Sequence, residues 1–107
     1  MSSLSCHVLN TTHGIPASCI EVELTRFSQH ESLQKGITDQ DGRFQFDAVT
    51  LKKGRYTLKF HTEQYCQNQF DDCFFPVVDV HFIVVDERHY HVPLLLSPFS
   101  YSTYRGS

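Results

Sequence analysis

The stretch Arg55-Tyr56-Thr57-Leu58-Lys59-Phe60-His61 alternates polar and apolar side chains with a period of two. Successive side chains of an extended strand point to opposite faces, so Tyr56, Leu58 and Phe60 share one face. Such alternation is typical of a strand with one face against a core and the other toward solvent. The stretch therefore predicts a strand in a half-buried sheet.

Most of the remaining chain repeats this alternation, with Gly, Pro, Asn or Asp interrupting it about every 8–12 residues, as in all-β folds. Further strands are predicted at 4–9, 20–25, 35–38, 43–47, 77–85 and 89–96, with the last ending near Leu96. Asp41-Gly42 predicts a hairpin turn, residues 28–34 a polar loop, and residues 62–72 the only place for a short helix. The pattern indicates one all-β domain over residues 1–107, a β-sandwich of about eight strands.

The net charge and the distribution of basic residues indicate what kind of molecule the chain binds. The 107 residues carry a formal net charge of -3 and no run of Lys or Arg, which argues against nucleic acid and anionic membranes and favours a small molecule. The sequence has neither a secretory leader nor an apolar run near the roughly 20 residues that span a bilayer. A cytoplasmic location is expected. The Ser-Lys-Leu peroxisomal address is absent, although a peroxisomal location is not excluded.

Two further features concern packing. The four cysteines (Cys6, Cys19, Cys66 and Cys73) have no Cys-x-x-Cys spacing and are expected to be free, mostly buried thiols. Residues 77–85 and 89–96 are apolar on both faces, which predicts burial by the core and by a second subunit. Pro93 cannot donate to a strand ladder, so its nitrogen is expected at a sheet edge or bulge.

Three polar residues fall on the face opposite the predicted core. His7 alternates with Cys6 and Val8, Arg43 precedes Phe44, and His91 separates Tyr90 from Val92. If their strands share one sheet, the three side chains leave the sandwich on its outer face and converge there. Each alone is more simply a solvated surface residue.

The chain resembles the 5-hydroxyisourate hydrolases, the enzymatic branch of the transthyretin-like family. The resemblance rests on Ser5-Cys6-His7-Val8-Leu9, Gly14-Ile15-Pro16-Ala17, Thr38 to Arg43, and the block from His89 to the final Tyr104-Arg105-Gly106-Ser107. It implies a transthyretin-like sandwich that assembles as a homotetramer, with active sites in a channel where dimers meet. It also implies hydrolysis of 5-hydroxyisourate to 2-oxo-4-hydroxy-4-carboxy-5-ureidoimidazoline in urate degradation.

Carried over by position, the resemblance assigns catalysis to His7, Arg43, His91 and Ser107, and substrate binding to His7, Arg43, Tyr104, Arg105 and Gly106. These residue types suit attack of water on a ring acyl carbon. A neutral imidazole accepts a proton near neutral pH, and a planar guanidinium holds a carbonyl-rich ring and stabilises an oxyanion. No cofactor or metal is expected, and the sequence does not indicate which histidine takes the proton.

Three alternatives stay open at this stage. A transthyretin-type carrier of thyroid hormone or another small ligand would share the fold, although resemblance to the carrier would lack the His7, Arg43 and His91 set. A zinc hydrolase would use His89-x-His91 with His7 as a third ligand. An adhesive sandwich without catalysis would leave the polar outer face unexplained.

Overall fold

A computed structural model describes residues 2–106, which form two packed β-sheets and one short helix. The strands are β1 (Ser2–Asn10), β2 (Ile15–Pro16), β3 (Glu21–Arg26), β4 (Ser32–Ile37), β5 (Arg43–Leu51), β6 (Gly54–His61), β7 (Val77–Val84), β8 (Tyr90–Leu96) and β9 (Tyr101–Thr103). Helix α1 (Glu63–Gln69) lies within the segment predicted for it. The prediction of an all-β sandwich with a short helix is confirmed.

Strand β1 is the central element of the first sheet. It pairs in parallel with β8 on one side, and antiparallel with β5 and β2 on the other. Strand β9 continues this sheet beyond β8, and the second sheet has the antiparallel order β4-β3-β6-β7. Side chains from β5 and β8 therefore flank those of β1 on the same face.

The core lies between the two sheets and contains the apolar residues that the alternation predicted. From the first sheet, Leu4, Cys6 and Val8 are at most 1% exposed. Leu58 and Phe60 face them from the second sheet and are fully buried. Burying one such side chain contributes about 1.5–3 kcal/mol, so this parity strongly fixes which residues of β1 point outward.

The structure corrects one prediction in the second sheet. Residues 28–34 are not all loop, because β4 begins at Ser32 and pairs with β3. Thr25 pairs with Thr57 in the unbroken ladder between β3 and β6, so it lies on the outer face with Glu21 and Glu23 although it is only 5% exposed. The ladder between β3 and β4 shifts register between Leu24 and Thr25, where Leu33 is the extra residue of β4.

In the first sheet, β5 extends beyond the predicted 43–47 to Leu51, and the prediction that the strands end near Leu96 is wrong. All three residues of β9 are exposed, so the sequence shows no alternation that would predict this strand. It is a strand because it pairs with Leu94–Leu96 of β8. Pro93 lies in register with His7 inside the sheet. On the other side of β8, the ladder with β9 begins only at Leu94. The N–H that Pro93 lacks therefore costs no hydrogen bond to β9.

The cysteines are free, as predicted, but only Cys6 and Cys66 are buried, whereas Cys73 is half-buried and Cys19 exposed. Burial raises the pKa of the Cys6 and Cys66 thiols to about 12, which keeps them protonated and unreactive. Within residues 2–106, no helix has the length and apolar character needed to cross a membrane.

Candidate active site

The first sheet brings the three outward-facing residues together. Arg43 of β5 pairs with His7 of β1, and His91 of β8 pairs with Ser5, two residues before His7. The rings of His7 and His91 are tilted by 39°, with centroids 6.4 Å apart. The predicted convergence of the three positions on one outer face is confirmed as geometry.

The tight turn at Asp41-Gly42 sets the start of β5 and thereby the place of Arg43. The prediction of a hairpin there is wrong, because the turn joins β4 of one sheet to β5 of the other. The carboxylate Oδ1 of Asp39 accepts hydrogen bonds from the backbone N–H groups of Asp41 (2.9 Å) and Arg43 (3.0 Å). Gly42 has φ +75°, and a Cβ there would lie 2.4 Å from the Val8 carbonyl oxygen. Only glycine fits this turn, so the sequence Asp39 to Gly42 presents the exposed Arg43 side chain beside His7.

Arg43 and His91, but not His7, line an open depression of about 740 Å³, within the size range of small-molecule sites. It is lined by Ser5, Cys6, Ile37, Asp39, Arg43, Phe44, Gln45, His89 and His91. The lining combines a fixed cation, two imidazoles and one carboxylate with apolar surface. Such a surface suits a polar, planar heterocycle better than a purely apolar ligand.

His91 has a perturbed protonation equilibrium. Partial burial lowers the pKa of its imidazole, and the positive charges of His7, His89 and Arg43 lower it further. Both effects disfavour the imidazolium, because it would be poorly solvated and would face like charges. His91 is therefore neutral at pH 7 and has a free lone pair with which to accept a proton.

Sequence reasoning missed Ser5 as a partner of His91. Its Oγ lies 2.7 Å from Nδ1 of His91 and 2.8 Å from Nε2 of His89. Ser5 shares its strand parity with His7, which was a usable signal. The contact itself depends on the pairing of β1 with β8, which no local pattern reveals.

The C-terminal segment returns to His91. The Gly106 N–H donates a 2.8 Å hydrogen bond to the His91 carbonyl oxygen. A Cβ on Gly106 would lie 2.6 Å from Cδ2 of the His91 ring and 3.3 Å from Cγ of Pro93, so the close approach requires glycine. Tyr104, 56% exposed, lines a smaller cavity of about 320 Å³ together with His91.

The Arg105 side chain borders this smaller cavity but not the larger depression. Its guanidinium carbon sits 4.1 Å from the centroid of the Tyr90 ring, and Nη2 is 3.9 Å from Oδ1 of Asp86. Tyr90 is buried on the face of β8 opposite His91. The structure thus does not bring this side chain to the depression, and Ser107 lies outside the described residues.

The described residues do not provide a set of ligands for the zinc ion of the zinc-hydrolase hypothesis. Among residues 2–106, no three His, Cys, Asp or Glu side chains are grouped so that they could hold a metal ion. The ring nitrogens of His89 and Nδ1 of His91 contact serine hydroxyls instead.

Comparison with known proteins gives matches over nearly the whole chain. The sequence profile of the HIUase/Transthyretin family matches residues 4–106. The 5-hydroxyisourate hydrolase of Mus musculus is 41% identical over 113 residues, which cover 99% of this chain and 96% of the mouse protein.

Two solved structures share the fold. The structure of Klebsiella pneumoniae 5-hydroxyisourate hydrolase has a TM-score of 0.89 and 35% identity, covering 100% of this chain and 94% of the other. Sea bream transthyretin in complex with thyroxine has a TM-score of 0.85 and 32% identity, covering 96% and 93%. Because an enzyme and a hormone-bound protein superpose almost equally well, the side chains of the site carry the functional distinction.

Proposed function

The chain belongs to the HIUase/Transthyretin family, and we propose that it is an enzyme that hydrolyses 5-hydroxyisourate in urate degradation. The convergence of His7, Arg43 and His91 on one outer face carries the proposal. A carrier needs shape and apolar surface, whereas these three side chains provide a base and a fixed cation. The similarity to enzymes of that name, at 41% identity in the mouse protein, supports the same choice.

The reaction requires water to add to a ring acyl carbon. A neutral His91 takes a proton from water as the new C–O bond forms, and then returns a proton to the ring nitrogen as the C–N bond breaks. His7, beside it, lies where a second imidazole can hold the water or substrate. General acid–base catalysis of this kind contributes about 10²- to 10⁴-fold in rate.

Arg43 has a separate role. Its guanidinium carries a permanent charge and parallel N–H donors, which match adjacent carbonyl oxygens of a planar ring. The same donors stabilise the negative charge that develops on the acyl oxygen when water adds. No cofactor enters these steps.

We also propose that the enzyme assembles as a homotetramer. Ile83 and Val85 are 56% and 59% exposed in the single chain, and β7, which contains Ile83, forms one end of its sheet within the described residues. Apolar side chains beside a strand edge favour burial against another subunit. Sedimentation equilibrium should give four chain masses, and a monomer at micromolar concentration would contradict the assembly.

The function is tested by following the ultraviolet decay of freshly generated 5-hydroxyisourate with and without the protein. The protein should accelerate the decay well above the spontaneous rate. Absence of acceleration, combined with saturable binding of thyroxine, would refute the hydrolase proposal and support the carrier alternative.

The pH dependence follows from the lowered pKa of His91. Since the neutral ring is the active form, kcat/KM should rise with pH and level off, with its midpoint below about 6.5, the usual pKa of histidine. Initial rates between pH 4.5 and 8.5, corrected for spontaneous decay, give this midpoint. A midpoint above the usual value would mean that another group limits the rate.

Gly106→Ala is expected to reduce turnover while leaving the melting temperature nearly unchanged. The added Cβ meets the His91 ring at 2.6 Å, so the ring or the tail must move. Displacing a reacting group by about 1 Å costs up to about 10²-fold, and we expect a loss of about 10- to 100-fold in kcat. Gly54→Ala, where a Cβ meets nothing within 4 Å but the backbone φ of +152° strains any side chain, should instead lower the melting temperature and leave kcat unchanged. Full activity of Gly106→Ala would separate the tail from the site.

Activity should survive exhaustive dialysis against a strong chelator, because imidazoles and water suffice for the proton transfers. Residual rates and metal content are measured on the same sample. Loss of activity that Zn²⁺ restores and Mg²⁺ does not would favour the zinc hydrolase instead.

A further inference from the structure

Four side chains on the outer face of β1 and at the start of β8 form a continuous set of contacts, the serine–histidine series: Ser3, Ser5, His91 and His89, which directly precedes β8. Ser5 Oγ lies between Nδ1 of His91 (2.7 Å) and Nε2 of His89 (2.8 Å). Nδ1 of His89 in turn contacts Ser3 Oγ. We propose that Ser5 and His89 are positioning residues that hold His91 in the tautomer with its proton on Nδ1, leaving Nε2 as the base.

Strand pairing builds the series. In the parallel ladder Leu4 pairs with Tyr90 and Ser5 with His91. Residues two apart share a face, so the two serines and the two histidines form adjacent columns. Serine is short enough to leave room for an imidazole on either side, and Ser3 at the end of the series is exposed to solvent.

The hydrogen-bonding capacity of a hydroxyl couples the two rings. Ser5 has one proton, so between two ring nitrogens it donates to one and accepts from the other. If Nδ1–H of His91 donates to Ser5, the Ser5 O–H donates to Nε2 of His89, and Nδ1–H of His89 donates to Ser3. All contacts are then satisfied, and the tautomer of one histidine sets that of the other.

The direction of the series rests on the proposed function, because a base at Nε2 of His91 needs a lone pair there. When Nε2 takes a proton from water, the imidazolium keeps its Nδ1–H bond to Ser5, and it later gives that proton to the leaving nitrogen. No charge passes to His89. The charged groups that act on His91 are His7 of β1, Arg43 of β5 and His89, which precedes β8. Asp39 lines the same depression, and His81, Tyr90, Tyr104 and Arg105 line the smaller cavity beside His91.

Kinetics of single and double variants test the coupling. Ser5→Ala should lower kcat by about 10- to 100-fold, the scale known for removing the partner that orients a metal-bound histidine, with little change in KM. Ser5→Thr keeps the hydroxyl and should retain most activity. His89→Ala should also lower kcat, and the double variant should be no worse than Ser5→Ala alone. His61→Ala, on the other sheet, is the matched histidine control. Wild-type kcat in Ser5→Ala, or additive losses, would overturn the proposal.

Nitrogen-15 NMR of the imidazole rings tests the tautomer without substrate, so it separates this proposal from the hydrolase assignment. Neutral His91 of the wild-type protein should show a single tautomer with the proton on Nδ1. Ser5→Ala should give a mixture of both tautomers. An Nε2–H tautomer in the wild type, or the same single tautomer in folded Ser5→Ala, would overturn the proposal even if the enzyme is active. An inactive wild type with the expected tautomer would refute the hydrolase alone.

Discussion

Replacing Arg43 by lysine is expected to lower kcat/KM. The loss should correspond to at least about 2–3 kcal/mol of transition-state stabilisation, which is the scale of one oxyanion donor. The variant keeps the positive charge but loses the planar pair of donors, since an ammonium group offers point-like contacts. Arg43 is exposed, and the hydrogen bond that fixes its position joins its backbone N–H to Asp39. Because the substitution leaves the backbone unchanged, folding should be unaffected. Steady-state kinetics and thermal melting measure the two effects separately.

The control for this change is Arg55→Lys, which alters an exposed arginine of β6 in the other sheet. It should keep wild-type kinetics. Arg43→Ala sets the lower limit of activity. Near-full activity of Arg43→Lys beside an inactive Arg43→Ala would show that only charge matters and would refute the bidentate role.

His91→Asn should cause the larger loss, about 10²- to 10⁴-fold in kcat, because it removes the general base. His7→Asn should cost less. His91 combines a lowered pKa with a hydrogen-bonded Nδ1, whereas His7 is assigned to holding water or substrate and should affect KM as well. The comparison is made by kcat and KM over the same pH range.

The pH dependence of the two histidine variants also identifies which histidine is the base. His7→Asn should preserve the low midpoint set by His91, although it removes one nearby positive charge and so should raise that midpoint slightly. His91→Asn should abolish the rise in rate with pH. If instead His7→Asn abolishes it and His91→Asn retains it, the base is His7.

The sequence alone determined which side chains leave the core at each predicted strand. Leu4, Cys6 and Val8 must be buried, and this parity places His7 on the outer face without knowledge of the neighbouring strands. The Asp-Gly turn likewise places Arg43 at the first position of β5. These predictions succeeded because pleat parity and turn geometry are local properties of the chain.

Only the tertiary structure decided which outward side chains meet. The contact between Ser5 and His91 joins residues 86 positions apart, and it exists because β1 pairs in parallel with β8. The exposed strand β9 and the packing of Arg105 on Tyr90 likewise depend on distant partners. A period of two assigns a face to each residue, but the choice of neighbouring strand and register depends on how the whole sandwich buries its apolar surface.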